Sequence, residues 1–278
     1  MKIMRFIGIV FALFSAGSPS DTSAQDSGKK YKVYMVSNSH LDTQWRWDVK
    51  ATIDDYLYNT AVQNLALLEK YPHYVFNFEG AVKYEWIKEY YPHLFERIRK
   101  FVADGRWNIS GASFEANDPN MPSSESFIRN ILLAQEFYKK EFGIKSKDMF
   151  LPDCFGFSQV MPTLGHHCGL IGFSTQKLSW RTEPLVGDSK TPFPIGLWEG
   201  VDGARIMVAL EPGRYSWNEF PEGDLSANEE LAESARKSPF GIAYRYYGNK
   251  LANGAGDHGG SALPRSIQLL EEGITNGK

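Results

Sequence analysis

Short apolar runs alternate with longer amphipathic ones along most of this chain, and the alternation limits the fold more than any single motif does. The apolar, strand-like runs are residues 31–38, 74–78, 107–111, 148–151 and 172–176. Between them lie helical patterns. In 54–70, Tyr56, Leu57, Ala61, Leu65 and Leu68 recur at helical spacing, and Tyr71-Pro72 ends the run. Residues 82–103 read as helix with a break at Pro92 and a stop at Gly105. Residues 124–142 form a further helix closed by Gly143, and 159–168 a short one. Two more strands, 195–198 and 205–210, read as a hairpin across Asp202-Gly203. From about Glu211 to Tyr246 the pattern weakens, and its Gly, Pro and charged residues predict long loops; an amphipathic helical run returns at 263–272. The βαβα order predicts an α/β protein, a mostly parallel sheet with helices outside, either open or closed into a barrel.

The polar residues gather where strands end: His40 and Asp42, Glu79, Glu115 and Asp118, then Asp153. In parallel α/β folds that edge carries the working site. The most informative stretch there is Ser39-His40-Leu41-Asp42-Thr43-Gln44-Trp45-Arg46-Trp47. If the strand continues through it, His40 and Asp42, two apart, face one point. An imidazole with a carboxylate suits a divalent metal, zinc above all, though a hydrogen-bonded pair at a strand end has the same pattern and a third ligand is needed. Asp153 in Leu151-Pro152-Asp153-Cys154-Phe155-Gly156 supplies one if the strands are neighbours; on its own it reads better as a cap on the helix that follows. The mixed donor set admits cobalt or manganese as well as zinc.

Composition narrows the function classes. The 278 residues suit one large domain or two small ones, and a net charge of −3 without a basic patch argues against a nucleic-acid partner. Aromatic content is 14%, with 7 Trp and 14 Tyr, which favours a carbohydrate partner. At the N-terminus, Lys2 and Arg5 precede an apolar run at 6–16 that is too short to span a bilayer, and Thr22-Ser23-Ala24 offers a small-residue cleavage site. Residues 1–24 therefore read as a signal peptide, with a periplasmic or secreted protein following and no membrane span after cleavage. Cys154 and Cys168 are too few for a disulfide scaffold; in an oxidising compartment they can pair.

Three segments stand in the order and spacing of family 38 glycoside hydrolases: the one from Asn38 to Trp45, the one from Gly105-Arg106-Trp107 through Phe114-Glu115-Ala116-Asn117-Asp118-Pro119-Asn120, and Leu151 to Gly156. The resemblance runs from about Tyr31 to about Pro264. Those enzymes are zinc-dependent retaining α-mannosidases. The resemblance implies a seven-stranded, barrel-like parallel α/β domain of the glycoside hydrolase/deacetylase type, with a helical bundle and β-domains after it. On that basis residues 25–278 are the N-terminal catalytic domain, incomplete at its C-terminus. It implies His40, Asp42 and Asp153 as zinc ligands, Asp153 also as nucleophile, Trp45 as the ring under the bound sugar and Phe155 as a second aromatic wall. The partner implied is an α-mannose-containing glycan.

For a general acid, Gly256-Asp257-His258-Gly259-Gly260 resembles the family's glycine-rich segment, which makes Asp257 the candidate; a plain turn is the alternative. The stretch 254–259 also fits G-x-G-x-x-G, but no clean apolar strand precedes it and no first βα unit surrounds it, so a dinucleotide site is rejected. Glu115, Asp118, Lys177 and Arg181 are further groups for the sugar's surroundings. The sequence departs from the family pattern in two ways: the family's fourth ligand is a histidine farther downstream, and Phe114 replaces a usual Trp. His258, His166 and His167 are available, but none matches that position. The rival functions are an inactive fragment or mannose-binding remnant, and a metal-dependent polysaccharide deacetylase that activates water.

Overall fold

The computed structural model describes residues 32–179, 191, 193–210, 229–251, 254–255 and 258–276. Its first half opens with β1 (Lys32–Ser39), α1 (Val49–Ala51), a π-helical turn at Thr52–Leu57 and α2 (Tyr58–Lys70). Next come β2 (Phe76–Phe78), α3 (Ala81–Tyr90), α4 (Pro92–Ala103), β3 (Trp107–Ile109) and α5 (Ser124–Phe142). The second half has β4 (Asp148–Phe150), α6 (Met161–His167), β5 (Gly172–Ser174), β6 (Ile195–Glu199) and β7 (Arg205–Ala209). It ends with α7 (Glu229–Lys237), β8 (Ile242–Gly248), the short pair β9 (Lys250–Leu251) and β10 (Gly254–Ala255), and α8 (Pro264–Thr275).

Local chemistry sets the boundaries. Ser123 caps α5 by accepting from the Ser126 amide at 3.2 Å, and Gly143 closes it at φ 73°. Pro92 opens α4 at a first-turn position, where its missing N–H costs nothing, so the expected break is a boundary between two helices. The helix expected from 54 begins at Val49 instead, because Asp48 caps it by accepting from Ala51 N at 2.8 Å, and a π-turn connects it to α2.

The strands form a sheet of order β3-β2-β1-β8, parallel throughout, and a second of order β4-β5-β7-β6, in which only the β6–β7 hairpin is antiparallel. This is the α/β class with parallel sheets. The closed seven-stranded barrel is not what the described residues show: they form two open four-stranded sheets. Between β3 and β4 only a single backbone bond is made, Ala112 N to Asp148 O at 2.8 Å. The Asp148 carboxylate accepts from Gly111 N at 3.2 Å and Ser110 Oγ at 3.0 Å, so a side chain stands where further ladder bonds would lie.

The largest correction falls on the second part of the expected loop region 211–246, whose residues 211–228 lie outside the described residues. In place of loops, 229–237 are helix and 242–248 are the strand β8, which pairs with β1 from Lys32↔Ile242 to Asn38↔Gly248. Arg245 and three tyrosines hide the strand from an apolar-run reading, yet Tyr246 and Tyr247 are buried.

Two larger apolar cores pack the sheets, beside a small cluster of Phe150 and Tyr246. One gathers Leu57, Leu65, Phe76, Phe78, Tyr84, Phe95 and Trp107, the other Met149, Leu151, Phe173, Ile206 and Val208. Each fully buried large side chain contributes roughly 1.5–3 kcal/mol. That packing fixes the strand ends, and so the polar edge above them. Among the described residues no helix is long and apolar enough to cross a membrane.

Candidate active site at the ends of β1, β2 and β4

β1 and β2 run parallel with Ser39 beside Phe78, so the residues that follow, His40 and Glu79, emerge side by side. The extended course continues past β1, since Leu41 bridges to His258. His40 and Asp42 therefore meet: His40 Nε2 lies 3.3 Å from Asp42 Oδ1. Asp153, just beyond β4, brings its Oδ2 to 3.8 Å from the same nitrogen. The structure thus brings together the three side chains that the sequence pattern singled out.

Both backbone groups of His40 are tied down by the C-terminal part of the chain. Its amide donates to Asn249 Oδ1 at 2.8 Å, and its carbonyl accepts from Gly259 N at 2.9 Å. Gly260 N donates to Thr60 Oγ1 at 2.8 Å, while Asn64 Nδ2 donates to Gly260 O at 2.9 Å. A Cβ on Gly259 would sit 2.4 Å from Thr60 Oγ1, which is why a glycine stands there.

The site is rich in buried charge. Glu79 and Lys83 are 1% and 0% exposed, and Lys83 Nζ donates to Glu79 Oε1 at 2.6 Å. That oxygen lies 3.6 Å from His40 Nδ1. On the other side Lys177, itself buried, forms an ion pair with Asp153 Oδ1 and lies 4.4 Å from the centre of the Phe155 ring. Burial alone lowers the His40 imidazole, but Asp42 and Glu79 outweigh it and raise it to about 10. Burial works to raise Glu79, and Lys83 with His40 overcomes it, holding that carboxyl below its ordinary value. Burial raises the carboxyl of Glu115. The carboxylates of Asp42 and Glu79 thus favour positive charge at His40.

The donor set suits a divalent metal. Ligand bonds of about 2.0–2.2 Å place two ligands of a tetrahedral ion roughly 3.4 Å apart. The His40–Asp42 spacing matches this, and Asp153 is only slightly wider at 3.8 Å, its other oxygen being held by Lys177. Among the described residues no group of three such side chains closes to the spacing of an assembled metal cluster. His40, Asp42 and Asp153 are of the donor types a zinc site uses, and His40 Nε2 is the atom both carboxylates approach.

The remaining candidates are distributed as follows. Trp45 is half exposed, with the Arg46 guanidinium 4.3 Å from its ring centre, and its edge meets Trp47. Phe155 is also half exposed, over Lys177. His258 stacks on Trp47 with ring centres 4.4 Å apart and packs on Tyr56, an aromatic role. His167 bonds Asp202 at 2.8 Å on the surface beside His166. Asp118 caps its own turn, accepting from Asn120 N at 2.7 Å. Cys154 and Cys168 are free thiols, not a pair; Cys154 donates to Asn117 O. Asp257, Arg181 and residues 1–24 lie outside the described residues. Where a dinucleotide loop would need a strand-to-helix turn, β9 and β10 form a small antiparallel hairpin.

Sequence reasoning missed Lys83, Asn249 and the contact of Glu79 with His40. Lys83 falls four residues after Glu79, an ion-pair spacing on a helix; Asn249 carries no comparable signal.

Comparison with known proteins gives a consistent picture. Residues 30–271 match the family described as "Glycosyl hydrolases family 38 N-terminal domain". Alpha-mannosidase G of Dictyostelium discoideum is 37% identical over 190 residues, 68% of this chain and 17% of that protein. Alpha-mannosidase 2C1 of Mus musculus is 34% identical over 245 residues, 87% of this chain and 22% of its own length. The chain therefore spans about a fifth of the length of these relatives. The crystal structure of an alpha-mannosidase from Enterococcus faecalis V583 superposes with a TM-score of 0.69 at 23% identity, covering 87% of this chain and 27% of that one, a likeness of fold.

Proposed function

Because the chain belongs to glycosyl hydrolase family 38 through its N-terminal domain, we propose that it carries the catalytic centre of a retaining α-mannosidase acting on non-reducing terminal α-linked mannose of glycans. One observation carries the reading: His40 Nε2 faces Asp42 at 3.3 Å and Asp153 at 3.8 Å, on the strand-end edge of a parallel α/β fold. The seven strands of the two open sheets other than the antiparallel β6 are read as those of a seven-stranded barrel. Residues 1–24 support export to the periplasm or beyond.

His40, Asp42 and Asp153 would hold a zinc ion, whose charge, when bound, orients the hydroxyls of the sugar and supports ring distortion. The covalent chemistry belongs to the side chains. An Asp153 oxygen attacks the anomeric carbon, the glycosidic C–O bond breaks, and the leaving oxygen takes a proton from the acid, for which Asp257 is the candidate. Water then attacks the same carbon, giving its proton to that carboxylate and releasing Asp153. Inversion twice over retains configuration. Lys177 holds one oxygen of Asp153, which orients the carboxylate and supplies positive charge beside it. Trp45 and Phe155 offer exposed rings for the apolar face of a sugar.

The test is hydrolysis of an aryl α-mannoside by the purified chain, followed by trapping with a slow-turnover fluorinated mannoside and peptide mass spectrometry. A mannosyl adduct on Asp153, absent in Asp153→Ala, is expected. Turnover that survives in Asp153→Ala, or release of acetate from an acetylated polysaccharide with no adduct, overturns the assignment.

A further inference from the structure

Behind His40, on the side away from Asp42 and Asp153, lies a buried ion pair that the mechanism above does not use. Glu79 directly follows β2 and Lys83 sits in the first turn of α3, both essentially without solvent exposure. Removing two such charges from water is expensive, and a buried pair seldom improves on apolar residues of the same volume. Its presence therefore asks for a role other than stability. The backbone is shaped for it: Gly80 adopts φ 87°, and a Cβ there would meet the Lys83 side chain at 3.2–3.3 Å. The lysine stem folds back over this bare glycine to reach Glu79 Oε1 at 2.6 Å.

The pair is aimed. Parallel register sets Ser39 beside Phe78, so the next residue on each strand, His40 and Glu79, stand adjacent, and Glu79 Oε1 lies 3.6 Å from Nδ1 while Nε2 faces Asp42 and Asp153. An imidazole that binds a cation through one nitrogen has its ring fixed by what the other nitrogen donates to. Contacts of this kind are often long in an unliganded site and tighten on loading.

We propose that Glu79, held in place by Lys83, is a positioning residue that takes the Nδ1–H of His40 and so turns the Nε2 lone pair toward Asp42 and Asp153. The assignment rests on the metal-binding reading of that cluster. Lys83 acts at one remove: it neutralises and orients Glu79, so that the carboxylate spends its free acceptor capacity on the histidine. Glu79 touches no substrate and transfers no proton in the reaction. Its effect is on affinity for the ion and on the geometry of the ring.

The experiment compares wild type, Glu79→Gln, and the double variant Glu79→Gln/Lys83→Met. The double variant removes both charges, so a fold lost in the single variant through a stranded lysine is recovered. Zinc affinity is read by equilibrium dialysis. The ring is read by a proton–nitrogen NMR experiment on histidine-labelled chain, with and without zinc. The expected result is a slowly exchanging His40 Nδ1–H signal in wild type, its loss in both variants, and zinc binding weakened about 10–100-fold in both. The double variant is expected to unfold within a few degrees of wild type. Zinc affinity within twofold of wild type in the folded double variant, with the Nδ1–H signal intact, overturns the role of Glu79. If wild type binds no zinc, the metal reading fails by itself; the Nδ1–H signal, present in wild type and lost in the variants, still supports Glu79 as the residue that sets the ring, and its absence from wild type refutes that.

Discussion

Asn249 is the residue whose replacement gives the most quantitative test of how the site is held. It is fully buried and stands at φ 55°, the only non-glycine residue with positive φ among the described residues. Its Oδ1 accepts from His40 N at 2.8 Å and from Ser39 Oγ at 3.4 Å, and its own amide donates to Asn38 O at 3.0 Å. Asn249→Gly deletes the acceptor and leaves the buried His40 N–H unsatisfied, at a cost of about 1–3 kcal/mol. The Asn249 Nδ2 has no hydrogen-bond partner among the described residues, so losing it offsets part of that cost. Added freedom of the unfolded chain at glycine costs a further ~0.4–1 kcal/mol. Asn249→Ala loses the same acceptor and adds left-handed strain of about 1–2 kcal/mol, but without the glycine entropy. The net expectation is a loss of roughly 2 kcal/mol for glycine and about 1 kcal/mol more for alanine. Urea unfolding followed by tryptophan fluorescence reads both. Alanine as stable as glycine, or both variants within 0.5 kcal/mol of wild type on the scale of ~1 kcal/mol per hydrogen bond, refutes the reasoning.

Other expectations follow from single contacts. Gly259→Ala, at φ 77° with Thr60 Oγ1 2.4 Å from the new Cβ, is expected to destabilise by about 2 kcal/mol or more and to lower the thermal midpoint; an unchanged midpoint contradicts the latch on His40. Burial above all pushes the Cys154 thiol up to about 12, so its thiolate fraction at pH 8 is roughly a thousandfold below that of a free cysteine, and alkylation of the native chain at this site is expected to be far slower than in urea. Thr163, His167 and the Ala204 amide hold the Asp202 carboxyl below its ordinary value. That group is lower in the folded than in the unfolded chain, so its contribution is present above the unfolded value and fades as pH falls through the folded one. Carbon NMR titration is expected to show an early-ionising Asp202 that moves back toward the ordinary value in Thr163→Ala.

What could be read in the sequence is what depends on local periodicity. The spacing of His40 and Asp42 placed them on one side of an extended segment, and the structure does bring them together. Helix α5 was readable to the residue because a serine cap and a left-handed glycine mark its ends. What depends on pairing was not readable. Nothing local says that β8 lies against β1, because a strand with Arg245 and several tyrosines looks polar until its neighbours bury it. The same holds for Glu79: its strand-end position is visible, but its contact with His40 follows from the β1–β2 register. The barrel implied by family resemblance appears, among the described residues, as two open sheets, because closure depends on pairings between distant strands that no local pattern reports.

The proposed function requires His40, Asp42 and Asp153 to form a metal-binding catalytic centre. The most direct measurement is elemental analysis of the purified chain beside His40→Ala. About one zinc per wild-type chain, lost in the variant, is expected for a site with these donors. Equal metal in the two proteins, or none in wild type after incubation with zinc, would contradict it.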